Sequence, residues 1–254
     1  MKGSIMAFVV LLAIFAVWEV CVRAFGVKPI VLPAPSAVWE EFWNGPMWYM
    51  NHAYYTLIVT LGGFGLALAV GVGLAVLIVE SRLMEQTVYA LIVGLNSVPK
   101  VAVAPLFVIW LGTGVEPKIA IGFLIAVFAI VIDAVLGLKS VPPDILDLAK
   151  ALRGGRLATL WRIRFPCALP SLFAGMKVAI SLALVGAIVG EFVSSQRGLG
   201  YVILAAQGTF DTARVFAAIM VLAVMGVVLF WIVARAERLA IPWHASQKEY
   251  TPTA

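Results

Sequence analysis

The sequence has few charged residues: Asp, Glu, Lys and Arg make up 12% of its 254 residues, about half the share in an average soluble domain. Apolar residues make up 63%. A soluble domain of this size cannot cover so much apolar surface, because it still exposes about a quarter of its chain surface to water. This composition argues against a soluble enzyme, a disordered tail and a secreted disulfide scaffold. It predicts an integral membrane protein.

Cysteine and histidine are also scarce, with two residues of each. Cys21 and Cys167 have no metal-binding or disulfide spacing, and we expect them near opposite faces of the membrane. His52 and His244 lie near the ends of predicted spans, so an intramembrane enzyme, which needs a metal set or a nucleophile and base within the spans, has little support. We predict no metal site, no bound cofactor and no catalytic residue in this chain.

Six apolar stretches are long enough to cross the roughly 30 Å hydrocarbon core of a bilayer, which takes about 20 residues per helix. They are predicted at 5–24, 54–79, 87–111, 119–136, 172–193 and 215–234. The first has too long an apolar run for a signal peptide, so we expect it to be retained as a span. Glycines in the second allow close helix packing. The fold class is therefore all-α, with 1–254 forming one transmembrane domain.

The third span is interrupted by Asn96, Pro99 and Lys100. Polar groups within a span are costly and are candidates for function, and the carbonyls that a proline frees require protein or a wet cavity beside them. With Glu191 near the outer end of span five, these residues form the predicted substrate pathway. Lys100 either attracts an anion such as a sulfonate, or snorkels or pairs with an acid. Three roles remain open for Glu191: part of a gate, one member of a pair with a cation, or a docking contact. A structural salt bridge is the favoured role.

The net charge of +5 is better explained by basic cytoplasmic loops than by a nucleic-acid partner. With the N-terminus inside, 12 of the 18 lysines and arginines lie on or near the cytoplasmic side, five lie outside, and Lys100 lies within a span. We therefore predict that both termini are cytoplasmic.

Two predicted loops are too long for simple turns. The outer one, 26–52, is rich in aromatic residues typical of the membrane interface. The inner one, 137–170, contains a helix that starts near Pro143 and ends at the glycine pair 154–155, followed by a second short helix at 156–164. The first helix has an apolar stripe at helical spacing. The stripe consists of Ile145, Leu148, Ala149 and Leu152. It is expected to dock on anionic lipid, on the protein's own helix ends or on a separate protein.

This inner loop resembles the Glu-Ala-Ala loop of permease subunits of ATP-binding-cassette importers. Residues 147–149 (Asp-Leu-Ala) stand where the family has an acid and two alanines. Arg153 stands at its glycine, and Ile163 and Pro166 stand at its isoleucine and proline. The spacing between these positions is the same as in the family. Arg153, however, replaces the family's glycine, and Gly154 is the next residue in the chain. The register of the docking helix therefore depends on which of these two residues forms the bend.

Further motifs resemble the branch of these importers for sulfonates, taurine, nitrate and thiamine-precursor pyrimidines. They lie at 32–38, 99–106, 110–114, 190–193 and 198–201. The resemblance covers nearly the whole chain and implies a type I importer permease of the bacterial inner membrane. It also implies ATP-driven import of a small polar or anionic nutrient by alternating access.

The resemblance implies several partners: a second permease copy in a homodimer, two ATPase subunits, an external substrate-binding protein and membrane lipid, with no nucleic acid. ATP and Mg are expected on the partner subunits, since the sequence contains no Gly-Lys dipeptide and hence no phosphate-binding loop of the usual type. The contact with the ATPase is predicted at Ile145, Asp147, Leu148, Ala149, Leu152, Arg153 and Gly154.

The alternative function is an ATP-independent secondary transporter or channel that uses Lys100 and Glu191 as a charge pathway. Such a protein is expected to show inverted internal repeats or several acids within the membrane. Neither feature is evident in the sequence, which favours the importer.

Overall fold

The computed structural model describes residues 2–242, which form ten helices and, within that range, no strand. The helices are α1 (Lys2–Ala24), α2 (Pro35–Asn44), α3 (Pro46–Glu80), α4 (Arg82–Asn96), α5 (Lys100–Leu111), α6 (Glu116–Lys139), α7 (Pro143–Ala151), α8 (Arg156–Ser194), α9 (Leu199–Gly208) and α10 (Thr212–Ala240). Cys21 and Cys167 are both free. His244, predicted near a span end, lies outside the described residues.

Four helices, α3, α6, α8 and α10, are long and apolar enough to cross a membrane. The bent pair α4 and α5 provides a fifth crossing if it counts as one span. The 23-residue helix α1 occupies the place of the first predicted span. The predicted all-α membrane fold is confirmed.

The bend between α4 and α5 measures 91° and lies where the sequence predicts an interruption. Pro99 precedes α5 with an extended backbone, φ −69° and ψ 92°, and its ring nitrogen has no hydrogen to donate. The Lys100 ammonium donates to the backbone oxygen of Asn96 at 3.0 Å. A side chain thus satisfies a carbonyl near the break.

Helices α3, α6 and α8 form the centre of the protein and meet around Gly122. A Cβ atom on Gly186 of α8 would lie 2.6 Å from the Gly122 Cα, and one on Gly63 of α3 would lie 3.1 Å from it. A larger residue at this crossing would force two helices apart. The prediction that glycines of the second span allow close packing is confirmed at Gly63.

Ion pairs between helix ends define two faces of the molecule. On one face Arg214, at the start of α10, pairs with Glu41 of α2 at 3.0 Å. On the opposite face Lys139, at the end of α6, pairs with Glu85 of α4 at 2.5 Å. We call the first the outer face and the second, which carries α7, the inner face, after the predicted orientation.

The predicted outer loop at 26–52 is partly helical, because it contains α2 and the first turns of α3. Pro46 stands in the first turn of α3, where its missing N–H has no partner to lose. Tyr49 is 1% exposed, and its hydroxyl donates to the Glu41 carboxylate of α2 at 3.3 Å. This contact between two helices extends α3 beyond the predicted start at Tyr54.

The short helix predicted at 156–164 is not separate, which corrects the sequence-based boundary. It is the first part of α8, which runs to Ser194. A proline inside a helix leaves an earlier carbonyl without a donor and clashes with that turn. The wide turn at Leu160–Arg164, with bonds spaced five residues apart, precedes Pro166 and lets the helix continue past it.

Candidate functional site

The inner face carries α7, a short helix between the core helices α6 and α8. Its first turn contains Pro143 and Asp144, as the sequence predicts. At its end the Arg153 amide donates to the Lys150 oxygen at 2.9 Å, and the Gly154 amide donates to the Ala149 oxygen at 2.8 Å. This pair of bonds is the Schellman motif, which satisfies the last carbonyls of a helix.

Arg153 takes the left-handed position of this motif, with a φ of 55°, a conformation that glycine adopts more easily because it lacks a Cβ atom. The bend therefore stays at residue 153 and does not move to Gly154. Gly154 meets a separate constraint, since a Cβ atom there would lie 2.8 Å from the Ala149 oxygen. The register of α7 is the one that the motif spacing predicts.

One side of α7 is an exposed apolar ridge. Ile145, Leu148 and Leu152, which we call the α7 ridge, are 42%, 60% and 75% exposed, whereas Ala149 is 8% exposed. Asp147 pairs with Lys150 at 2.8 Å. Six of the predicted coupling residues thus fall into two groups: three form the exposed ridge, and Ala149, Arg153 and Gly154 shape the end of the helix.

The chain is buried just before α7 and again within α8. Val141, just before α7, is 5% exposed, and Leu160, in α8, is 6% exposed. Gly137 of α6 packs against Ala168 of α8 so closely that a Cβ atom on Gly137 would lie 2.9 Å from the Ala168 oxygen. Residues 152–155, which connect α7 to α8, are exposed, so α7 is joined to α8 by a short exposed connection.

The predicted pathway residues of span three lie together at the bend between α4 and α5. The Lys100 ammonium donates to the Asn96 side-chain oxygen at 2.7 Å and lies 4.5 Å from the centroid of the Phe128 ring. Carbonyl oxygens and an aromatic face therefore surround the Lys100 charge. Pro99 forms the break beside it.

Glu191 does not join these residues, because it lies near the outer end of α8 and has other partners. It is 1% exposed. Its carboxylate accepts hydrogen bonds from the Thr56 hydroxyl at 2.8 Å and from the Gly200 amide at 2.7 Å. Among the described residues no cation lies within ion-pair distance of Glu191, so the favoured salt bridge is replaced by buried hydrogen bonds.

Glu191 belongs to a group of side chains from α3 and α8 that caps the start of α9. The first amides of a helix lack partners within the helix and need such acceptors. The bonds run from the amides of Gly198, Leu199 and Gly200 to His52, Thr56 and Glu191, in that order, at 3.0, 2.9 and 2.7 Å. We call this arrangement the α9 cap. It ties three helices together on the outer face.

Two features are not predicted from the sequence: α9, which is too short to be recognised as a span, and the burial of Lys118. The Lys118 side chain is 1% exposed, and its ammonium donates to the Thr113 and Gly114 oxygens at 3.0 and 2.6 Å. The motif at 198–201 was a signal for α9. Within residues 2–242 no group of three or more metal-ligating side chains occurs.

A packed apolar helix core, a bent span and an exposed helical ridge between two core helices define a multi-pass membrane protein. Residues 63–241 match the family described as binding-protein-dependent transport system inner membrane components. The chain belongs to this family and is a permease subunit of an ATP-binding-cassette importer.

Relatives extend over almost the full length of the chain. The riboflavin transport system permease protein RibX of Chloroflexus aurantiacus is 35% identical over 94% of this chain and 90% of its own length. The formylaminopyrimidine transport permease protein ThiX of Halalkalibacterium halodurans is 30% identical over 93% of this chain and 94% of its own. The taurine transport system permease protein TauC of Escherichia coli is 28% identical over 92% and 88%.

The fold is also similar to that of a solved transporter. A chain of the MetNI methionine ABC transporter, in an inward-facing conformation, matches with a TM-score of 0.68 at 17% identity. The match covers 76% of this chain and 97% of the other. At this identity the similarity establishes the type I importer fold.

Proposed function

We propose that this permease imports a small polar solute by alternating access, driven by ATP hydrolysis on separate subunits that dock on the α7 ridge. The observation that carries the proposal is the exposure of Ile145, Leu148 and Leu152 on a short helix that connects the core helices α6 and α8. Burying such a ridge against a partner stabilises the contact by about 25 cal/mol per Å² of apolar surface.

The charges of α7 favour a protein partner over lipid. The helix carries Asp144 and Asp147 but a single cation, Lys150. Helices that bind anionic membrane surfaces are instead rich in lysine and arginine on their polar face. Arg153 and Arg156 follow the helix, but α7 itself has no such basic face, so the ridge is better suited to a pocket on another protein.

Coupling follows from the attachment of α7. ATP-driven closure of two ATPase subunits would displace the ridge, and α6 and α8 would move with it. Because the two conformations differ in how they bind nucleotide and solute, each ligand shifts the balance by its differential affinity. ATP and Mg belong to the partner subunits, and this chain serves transport without an ATP site of its own.

The assembly proposed from the family contains two permease copies as a homodimer, two ATPase subunits and an external substrate-binding protein, embedded in lipid. The inner face, with α7 and the start of α8, carries most of the lysines and arginines. This distribution supports an inner face in the cytoplasm and both termini on that side. The protein then spans the bacterial inner membrane several times.

The solute is proposed to be a small polar or anionic nutrient of the sulfonate, taurine, nitrate or pyrimidine-precursor type. Relatives are named for riboflavin, formylaminopyrimidine, aliphatic sulfonates and taurine. We assign the pathway to the bend at Asn96, Pro99 and Lys100, because a broken helix in a membrane needs a cavity or protein beside it. Glu191 would close the outer end by holding α9.

The test is to place a charge in the ridge. Leu148→Glu, made in the importer coexpressed with its ATPase subunits, should leave the permease in the membrane but abolish copurification of the ATPase and solute-stimulated ATP hydrolysis. Leu239→Glu is the matched control, since Leu239 is an 83% exposed leucine at the inner end of α10. Normal solute-stimulated hydrolysis by the Leu148→Glu importer would refute the proposal.

A further inference from the structure

A polar cavity of about 680 Å³ opens on the outer face, between α3, α5, α6 and the connection from α8 to α9. Its lining includes the polar side chains of Tyr55, Thr113, Lys118, Ser195, Gln196 and Arg197, and no acidic side chain. The volume lies within the usual range for sites that bind small molecules. The cavity therefore has the size of a ligand site and a net positive wall.

Lys118 supplies a fixed cation to this wall. Its side chain is 1% exposed, and the oxygens of Thr113 and Gly114 occupy two of the three donors of its ammonium. The nearby carboxylate of Glu191 is engaged by Thr56 and the Gly200 amide. The third Lys118 donor is thus left for a further acceptor.

Arg197 supplies a second cation at the edge of the cavity. The Ser195 hydroxyl donates to the Arg197 oxygen at 2.5 Å and accepts from the Arg197 amide at 3.3 Å, which holds this turn in place. The ion pairs formed among residues 2–242 involve other cations. They are Arg23, Lys139, Lys150, Lys177 and Arg214.

A second cavity of about 590 Å³ adjoins the first and shares Tyr55 and Arg197 with it. Its wall also contains Asn51 and the rings of Trp48 and Tyr54. Arg197 therefore stands between a cationic compartment and an aromatic one. A guanidinium in this place can hold an anionic group with paired hydrogen bonds while the rest of a solute contacts the rings.

We propose that the outer cavity is a binding site for the anionic group of a solute, of the sulfonate or carboxylate class, held by Lys118 and Arg197. The inference rests on the proposed importer function and names where an incoming solute first binds the permease. Glu116 and Glu191 lie near Lys118 but outside the lining of the cavity. The lining itself holds two cations and no acidic side chain, so it attracts a negative charge, and the low dielectric of the surrounding helices strengthens the attraction.

The test uses the purified permease in nanodiscs, without ATPase, and two small probes of similar shape. Methanesulfonate carries a charge, and dimethyl sulfone is neutral. At constant ionic strength, methanesulfonate should raise the thermal unfolding temperature in a saturable way, because a ligand that binds the folded state stabilises it. Dimethyl sulfone should produce no shift. Equal shifts from both probes, or none from methanesulfonate, would overturn the assignment.

Variants locate the site. Arg197→Gln should weaken methanesulfonate binding by at least about tenfold, since it removes a charged hydrogen-bond donor. Arg197→Lys keeps the charge but loses the paired hydrogen bonds, so its affinity should lie between those of the wild type and Arg197→Gln. Arg235→Gln is the matched control, because Arg235 lies at the other end of the molecule, over the Trp231 ring. Unchanged affinity in Arg197→Gln would refute the site. Because no ATPase is present, this result is independent of the Leu148→Glu experiment.

Discussion

Replacing Arg153 by glycine should stabilise the end of α7. A residue with a Cβ atom in the left-handed conformation is strained by roughly 1–2 kcal/mol, and Arg153 has a φ of 55°. Glycine removes that strain but gives the unfolded chain more freedom, which costs about 0.4–1 kcal/mol. The net expectation is a gain of about 1 kcal/mol in the free energy of local opening.

Amide hydrogen exchange measures this opening directly. The Arg153 and Gly154 amides form the two bonds that close α7, to Lys150 and Ala149, and they exchange when the helix end opens. A gain of about 1 kcal/mol corresponds to roughly fivefold slower exchange. The measurement is mass spectrometry on peptides that contain residues 153 and 154, with rates corrected for the intrinsic effect of glycine.

The control removes the same charge without relieving strain. Arg156→Gly, in the first turn of α8, deletes an arginine from the same loop and places glycine in a helix, so slower exchange at residues 153 and 154 is not expected. Gly154→Ala should act in the opposite direction, because its Cβ atom would lie 2.8 Å from the Ala149 oxygen. Unchanged or faster exchange in Arg153→Gly would show that the left-handed residue stores no strain.

Two further variants test the packing of the outer face and the core. Thr56→Val should lower the apparent unfolding temperature by about 5–15 °C, because it leaves the Leu199 amide without its acceptor, at about 1–3 kcal/mol, and removes one of the two donors to the Glu191 carboxylate. Thr56→Ser keeps the hydroxyl and should stay near wild type, so equal losses in both would contradict the α9 cap. Gly186→Ala should destabilise by about 1–3 kcal/mol, because its Cβ atom would lie 2.6 Å from the Gly122 Cα. Gly65→Ala is the control, because no atom lies within 4 Å of its Cβ position. All four variants are compared by their thermal unfolding in detergent.

The spans and α7 are predictable because their signals are local. An apolar run long enough to cross a bilayer identifies a span wherever it lies, and an apolar stripe that ends at glycines identifies a short amphipathic helix. The bend at Pro99 is local in the same sense, since a proline removes a hydrogen bond from its own turn. These features depend on residues within a few positions of one another.

The α9 cap could not be predicted, because its partners are distant in the sequence. Thr56 and Glu191 are 135 residues apart, and His52 and Gly198 are 146 residues apart. A threonine or a histidine near the end of a span is common to many structural roles, so neither residue by itself indicates a helix cap. The early start of α3 has the same cause, because Tyr49 is buried against an α2 that the aromatic pattern did not reveal.

Helix α8 connects the two functional ends of the molecule. It begins beside the α7 ridge, crosses α3 and α6 at the glycine contact around Gly122, and ends at Glu191 in the α9 cap. A close contact between backbones cannot compress, so a tilt imposed on the inner end of α8 pivots at this crossing. Under the proposed coupling, the outer end would move in the opposite sense and would stretch the bonds that Glu191 and Thr56 make with α9. If α7 couples to an ATPase as proposed, the α9 cap is the part of the outer face that we expect to open or move as a unit when the ridge is displaced.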